Sequence, residues 1–287
     1  LFVALRGERF DGHAFIDKAV GQGAAGVVVM EDIPRNGTVI ISVEDTLQAL
    51  GDIASGVRSW YDTAIVGVTG STGKTTVKEF CASILSLQGP CLKTEKNYNN
   101  LIGVPLALME LGPGYEFAVI EMGTSRFGEI DRLSCITKPQ VSILTNINPV
   151  HLNGLRSISG IIKEKQAIFR NTAKCGMAVI NPSLEHMDKV EVPAHLQLIT
   201  YSHKGDADVT LVHIDHRGLD GSDVEIDLAG TIIRTHVPLP GMHNVVNALG
   251  ACACAVALNI DPELIAGGVR QAKFPGKIGR ASCRERV

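Results

Sequence analysis

The residues richest in chemistry lie in one stretch, Val66 to Phe80, reading VGVTGSTGKTTVKEF. A β-branched run enters a glycine-rich loop, and Gly73-Lys74-Thr75-Thr76 opens a helical pattern. That layout aims backbone N–H groups and the positive end of a helix at a phosphate. Lys74 is then placed to contact the β- and γ-phosphates of a nucleotide, and the Thr75 hydroxyl to ligate Mg²⁺. Gly70, Ser71, Thr72 and Thr76 complete the loop. Standard spacing asks for glycine at position 68, where this chain has valine, and its glycines are Gly67, Gly70 and Gly73. The plain alternative is a glycine-rich turn with no ligand.

Around that loop stand residues that could complete a nucleotide site. Glu121 ends the apolar run FAVIE and is a candidate metal-binding carboxylate. Kinases and transport ATPases more often end such a strand in aspartate, which argues against that rival class. His151, in TNINPVHLNG, follows another apolar run. Ligands of parallel sheets gather beyond the carboxyl ends of strands, so this loop should face the phosphate loop and His151 could be a second metal ligand. Fourteen residues later comes Lys165, in IIKEKQAIF; periodicity does not separate it from Lys163, and either could be a surface charge. Asn97, Asn99 and Asn100, in KNYNNLIGVPLAL, suit capping or recognition of a polar ligand. His243, Asn244 and Asn247 open a later helix, where the two amides share a face. They could cap that helix or meet a nucleobase edge.

The elements that must position these residues alternate. LFVAL and AGVVVM read as short strands around a helix in HAFIDKAVGQG, and Glu44–Trp60 as a second helix. The pattern restarts at AIVGVT and continues with a helix Lys74–Leu87, the strand FAVIE, a helix near Glu129–Cys135 and the strand VSILTNI. A helix Ser157–Phe169 and the strand GMAVIN follow. Such alternation predicts α/β architecture with a mostly parallel sheet. Residues 198–237 read as added antiparallel strands with Gly and Asp turns, before closing helices His243–Leu258 and Pro262–Gln271. The expected organisation is a small N-terminal α/β domain, 1–62, and a central P-loop ATPase-like domain, 63–275. Residues 276–287 stand apart. Their end, ASCRERV, has no apolar period and is expected to be a non-native tail.

The chain has 287 residues, 45% hydrophobic and 20% charged, with net charge −3 and no basic block. Nothing here predicts a nucleic-acid partner. The absence of a run of about 18 uncharged apolar residues predicts no membrane insertion. Seven scattered cysteines suit reduced, buried thiols. Cys252 and Cys254, two apart on a helix, make a poor metal pair.

Taken together, the phosphate loop, Glu121, His151, Lys165 and the two asparagine motifs resemble the Mur ligase family, in order from Leu1 to about Arg280. That family carries Gly-x-x-Gly-Lys-Thr-Thr/Ser without the strict spacing, which accounts for Val68. LFVALRGERFDGHAFI, NYNNLIGVPLAL and EMGTSRFGEI look most like its branch that joins D-alanyl-D-alanine to UDP-N-acetylmuramoyl-tripeptide. The nearer rivals are MurE-type, cyanophycin-type and folylpolyglutamate-type ligases.

The resemblance implies a cytoplasmic bacterial enzyme using ATP and two Mg²⁺ ions. Lys74 and Thr75 match its phosphate and magnesium residues, and Glu121 and His151 its metal ligands. Lys165 matches a lysine carbamylated by CO₂, with Lys163 the fallback. The local Lys-Gln-Ala-Ile-Phe replaces the usual Lys-Gly-Glu-Ile-Phe. His243, Asn244 and Asn247 match an adenine motif, and Asn97, Asn99 and Asn100 a substrate segment. Residues 1–62 would bind the UDP substrate. The implied reaction is phosphorylation of a carboxylate followed by attack of an amine on the acyl phosphate. Family members also begin ahead of Leu1, with an Asp-Ser-Arg segment, and continue past Arg280 into a C-terminal domain. The chain alone is therefore expected to bind ATP weakly and not to ligate.

Overall fold

The structure is a computed structural model that describes residues 1–7, 10–31, 37–150 and 152–274, the side chains of residues 152 and 153 excepted. At the N-terminus a parallel sheet has the order β1 (Phe2–Val3), β2 (Gly26–Val29), β3 (Val39–Ser42). A 3₁₀ turn, Gly12–Phe15, leads into α1 (Ile16–Gly21), so the single helix expected over 13–23 is shorter and divided. Asp45 caps α2 (Thr46–Ser59) by accepting from the N–H groups of Leu47 and Gln48.

The second sheet has nine strands in the order β12-β11-β10-β9-β8-β7-β4-β6-β5. Its parallel part comprises β4 (Ala64–Thr69), β5 (Cys91–Lys93), β6 (Phe117–Glu121), β7 (Val141–Leu144), β8 (Met177–Ile180), β9 (Gln197–Ser202) and β10 (Val209–His216). Antiparallel pairing enters only with β11 (Ser222–Leu228), against β10, and with β12 (Thr231–Val237), against β11. The antiparallel segment expected from 198 onward therefore starts later. Residues 197–202 pair with β8 as one more parallel strand.

Strands buried on both faces need apolar residues in both registers. On one face Val66, Val68, Ile143, Val179 and Tyr201 meet α3 (Lys74–Gln88), α8 (Met242–Ala257) and α9 (Pro262–Gln271). On the other, Ile65, Ile120, Leu144 and Ile180 meet the layer of α4 (Gly103–Leu108), α5 (Glu129–Thr137), α6 (Leu152–Leu155) and α7 (Ile158–Lys165). The chain tightens to a 3₁₀ turn after Lys165, so the helix expected to reach Phe169 ends four residues early. The first sheet is joined to this body through α2. Arg58 donates to Thr137 O at 3.1 Å, Arg132 reaches Gln48 O and Asp52, and Ala54 enters the second core.

Helices α3 and α9 cross with almost no side chain between them. Ser83 Oγ donates to Gly268 O at 2.7 Å, and a Cβ on Gly268 would overlap Ile84 Cα. In an open helix Gly→Ala stabilises by about 1 kcal/mol. Here overpacking reverses the sign, and Gly268→Ala should lose about 1–3 kcal/mol in urea unfolding. Gly267→Ala, which would meet only Leu87 Cδ1 at 3.3 Å, should be neutral or stabilising in the same assay.

Candidate active site

The loop after β4 is built without room for side chains. Gly70 has φ +151° and Gly73 φ +78°, and the latter caps α3 without a side-chain bond. A Cβ at Gly70 would overlap Thr145 Oγ1, and one at Gly73 would overlap Asn247 Oδ1. The loop after β7 holds it from the side. Thr145 Oγ1 donates to Thr72 O at 2.6 Å, Asn146 Oδ1 accepts from Thr72 N at 2.9 Å, and Ser71 N donates to Asn146 O. Asn148 N donates to Ser71 Oγ at 2.8 Å. So the loop containing TNIN does face the phosphate loop, as its place beyond a strand end requires. His151, farther along, lies outside the described residues.

The first N–H groups of α3 have no intrahelical partner, which makes this end an anion cradle. Lys74 folds back over it, donating to Gly70 O at 2.9 Å. Thr75 Oγ1 donates to Glu121 Oε2 at 2.9 Å, and Glu121 is 3% exposed. Cis ligands of an octahedral ion with Mg–O bonds of 2.0–2.1 Å stand about 2.9 Å apart, so this oxygen pair fits Mg²⁺. Among the described residues no cluster of three His, Cys, Asp or Glu side chains offers a metal cage. An ion here would keep water and phosphate oxygens in its shell.

Lys165 comes to the same carbonyl from the opposite face of the sheet, donating to Gly70 O at 2.8 Å with 1% exposure. Lys163, one residue short of the next position on that helix face, is exposed. Burial, and then the Lys74 charge, push the Lys165 ammonium down to about 7, with Glu164 pulling the other way. Burial also lowers Lys74, against the pull of Glu121. Glu164 is buried because it caps α5, accepting from Gly128 N at 2.7 Å, Ile130 N at 2.8 Å and Thr124 Oγ1 at 3.1 Å.

The three asparagines separate. Asn99 Nδ2 donates to Glu121 Oε1 at 2.9 Å. Asn100 instead caps α4, accepting from Ile102 N and Gly103 N, and Asn97 is exposed. At the start of α8, Asn247 lies against Gly73, while Asn244 Nδ2 donates to Pro240 O at 2.8 Å, a cap of its own loop. His243 is exposed, and Thr76 is buried behind the loop. Sequence reasoning missed Lys78, which is 1% exposed and binds Thr94 O at 2.8 Å, Glu79 at 3.1 Å and Glu121 at 3.9 Å. Its i+4 spacing from Lys74 was the available signal. Thr145, Asn146, Asn148 and Glu164 were missed as well.

The sequence matches the profile described as "Mur ligase middle domain" over residues 68–255 and "Mur ligase family, catalytic domain" over residues 1–58. The chain belongs to the Mur ligase family. It is 36% identical over 285 residues to the UDP-N-acetylmuramoyl-tripeptide–D-alanyl-D-alanine ligase of Escherichia coli, covering 97% of this chain and 62% of that protein. The solved MurF of Acinetobacter baumannii superposes with a TM-score of 0.91 at 33% identity, over 96% of this chain and 60% of that one. The MurF ligase of Thermotoga maritima in complex with ADP gives 0.85 at 28% identity, over 96% and 64%. This Mur ligase chain thus spans about 60% of the length of these relatives.

In this Mur ligase chain the Lys165 ammonium titrates near 7 folded and near 10.5 unfolded. Between those values the unfolded chain binds more protons, so stability rises with pH above 7. Below 7 both states are protonated and the penalty is fully present. Above about 9 the buried thiols act oppositely, because Cys91 is pushed up to about 12 while its unfolded counterpart ionises. In degassed buffer, urea stability should therefore climb between pH 7 and about 8.5, by roughly 1.4 kcal/mol per unit. Lys165→Met should flatten that climb and raise stability at pH 7.

Proposed function

We propose that this chain carries the ATP site of a ligase that adds D-alanyl-D-alanine to UDP-N-acetylmuramoyl-tripeptide. The observation that carries the reading is the convergence of Lys74 and Lys165 on Gly70 O, beside the Thr75–Glu121 pair. The substrates rest on the relatives, whose names state that activity. A cytoplasmic location in a bacterium follows from the same reading. Among the described residues, no helix is long and apolar enough to cross a membrane.

The chemistry suits carboxylate activation. A tripeptide carboxylate oxygen attacks the γ-phosphorus of ATP, and the bond to the ADP oxygen breaks. The dipeptide amine then attacks the acyl carbon, loses its proton, and phosphate leaves. Charge accumulates on the phosphoryl oxygens, where Lys74 and the N–H groups of α3 stand ready to stabilise it. Gly70, Ser71, Thr72, Gly73 and Thr76 shape that cradle. Thr75 and Glu121 would hold Mg²⁺, which neutralises phosphate charge when bound. His151 and Lys165 would serve a second ion, and His243, Asn244 and Asn247 the adenine. Asn99, with Asn97 and Asn100 on the same segment, would face the tripeptide side, and residues 1–62 would hold its UDP moiety.

Lys165 fits carbamylation. Its amine adds to CO₂, forming a C–N bond and releasing a proton, and the product is an anion. A cation beside Lys74 is repelled; an anion there is attracted and can hold metal. Only neutral amine reacts. With the Lys165 value of about 7, roughly half is neutral at pH 7, against about one in three thousand for an exposed lysine.

Two measurements test this. Sustained ADP release over many turnovers by the enzyme bearing this chain should require both UDP-N-acetylmuramoyl-tripeptide and D-alanyl-D-alanine. It should fall at least a hundredfold in Lys74→Ala. Activity with a single amino acid in place of the dipeptide would instead place it in another branch. With ¹³C-bicarbonate, a carbamate carbon signal should appear at pH 7–8 and vanish in Lys165→Met but persist in Lys163→Met.

A further inference from the structure

Farther along the sheet edge that carries the phosphate loop, two side chains each bury one polar atom that has no partner. Among the described residues, three buried side-chain polar atoms lack a hydrogen-bond partner: Thr137 Oγ1, Asn181 Nδ2 and His203 Nδ1. Thr137 ends α5 on the far layer. Asn181 and His203 each follow directly on a strand, β8 and β9, which are neighbours in the sheet. Buried polar groups are ordinarily paired, so two orphans on adjacent strand ends point to a ligand.

The alternation of side chains places both on the face under α8. On β8, Val179 packs with α8 while Ala178 and Ile180 pack on the other layer, so Asn181 continues the α8 row. On β9, Ile199 and Tyr201 face α8, and His203 is next in that row. Register aligns Leu144 with Ile180 and Ile180 with Thr200. One residue on, Thr145, Asn181 and Tyr201 stand level, and Tyr201 Oη donates to Thr145 O at 3.3 Å. Thr145 grips Thr72 of the phosphate loop. With strands about 4.8 Å apart, Asn181 lies two strands, about 10 Å, from the β4 end that leads into the phosphate loop, and His203 three strands, about 14 Å, a span that the sugar and base of a nucleotide can cover. Helix α8 begins above this edge, since its Asn247 touches Gly73 and its Gly250 lies against Ile143 and Tyr201.

The chemistry is directional. Asn181 is 0% exposed, and its Oδ1 accepts from Ser183 N at 3.1 Å and Ser183 Oγ at 2.6 Å. That fixes the amide, leaving Nδ2 as a donor that requires an acceptor. Burial first, and the Lys204 charge second, hold the His203 imidazole below its ordinary range. The ring is thus neutral at pH 7, with one donor and one acceptor nitrogen.

We propose that Asn181 and His203 bind the nucleoside end of the nucleotide, Asn181 Nδ2 donating to a base nitrogen or sugar oxygen and His203 closing the far side of the cleft. This rests on the ATP reading above and adds two residues to it. Isothermal titration of the chain with ADP and with pyrophosphate, both with Mg²⁺, tests the two separately. Asn181→Leu should weaken ADP about tenfold and His203→Ala about threefold, with pyrophosphate affinity unchanged in both. His203 is only partly buried, so its variant decides the matter even where Asn181→Leu does not fold. Unchanged ADP affinity in His203→Ala, or equal loss of ADP and pyrophosphate, overturns the proposal. Wild-type chain that binds pyrophosphate as tightly as ADP overturns the nucleoside cleft while sparing the phosphate loop. Wild-type chain that binds neither removes the ATP reading itself.

Discussion

One backbone oxygen organises this site. Gly70 O receives the Lys74 ammonium from the loop's own helix and the Lys165 ammonium from α7, on the opposite layer of the sheet. A carbonyl can accept two donors, but two like charges on one acceptor within a buried site repel strongly. Burial holds both lysines below their ordinary range, and at Lys165 the Lys74 charge adds to it. The loop can bring the two together only because Gly70 has no side chain where Thr145 presses against it. Thus the absence of one Cβ permits the approach, and the approach tunes the chemistry of Lys165.

The architecture explains why residues so distant in sequence meet there. Parallel strands all end at one edge, and each functional segment leaves the sheet at that edge. Gly70 follows β4, Glu121 closes β6, Thr145 and Asn146 follow β7, and Asn181 and His203 follow β8 and β9. Helices then supply the second set from both faces, α3 and α8 from one and α7 from the other. The antiparallel hairpin β11–β12 extends the sheet away from this centre and gives α9 a surface to pack on through Thr235 Oγ1 and Ala266 O. That packing in turn supports α3 through the close contact at Gly268.

The parts of this structure that were legible in sequence share a cause. β4, β6, β7 and β8 are short runs buried on both faces, so their apolar character survives in any local window. The phosphate loop was legible because glycine and lysine there answer a backbone requirement that no neighbour can relax. β5 and β3 were not, being three and four residues at sheet edges with little burial to mark them. β9 was misread as the start of an antiparallel segment because direction is set by the partner strand, not by the residues of the strand itself. Among site residues, Asn100 shows the limit most clearly. Its type fits capping and ligand binding equally, and only the position of Ile102 N and Gly103 N assigns it to the cap.

Glu121 shows how neighbouring halves of the site are made interdependent. Its Oε2 takes the Thr75 hydroxyl, on the nucleotide side, and its Oε1 takes Asn99, on the segment that continues into α4. Its backbone N–H is bound by Thr94 Oγ1, and Lys78 places a buried positive charge near the same carboxylate. Burying a carboxylate to 3% exposure is costly unless donors and cations surround it in this way. Removing Lys78 would therefore strip the counter-charge from Glu121 without touching any ligand. An ion drawn to Oε2 would compete with Thr75 for one lone pair while leaving Asn99 on the other oxygen. The carboxylate can thus keep its orientation through Asn99 while its other oxygen changes partner.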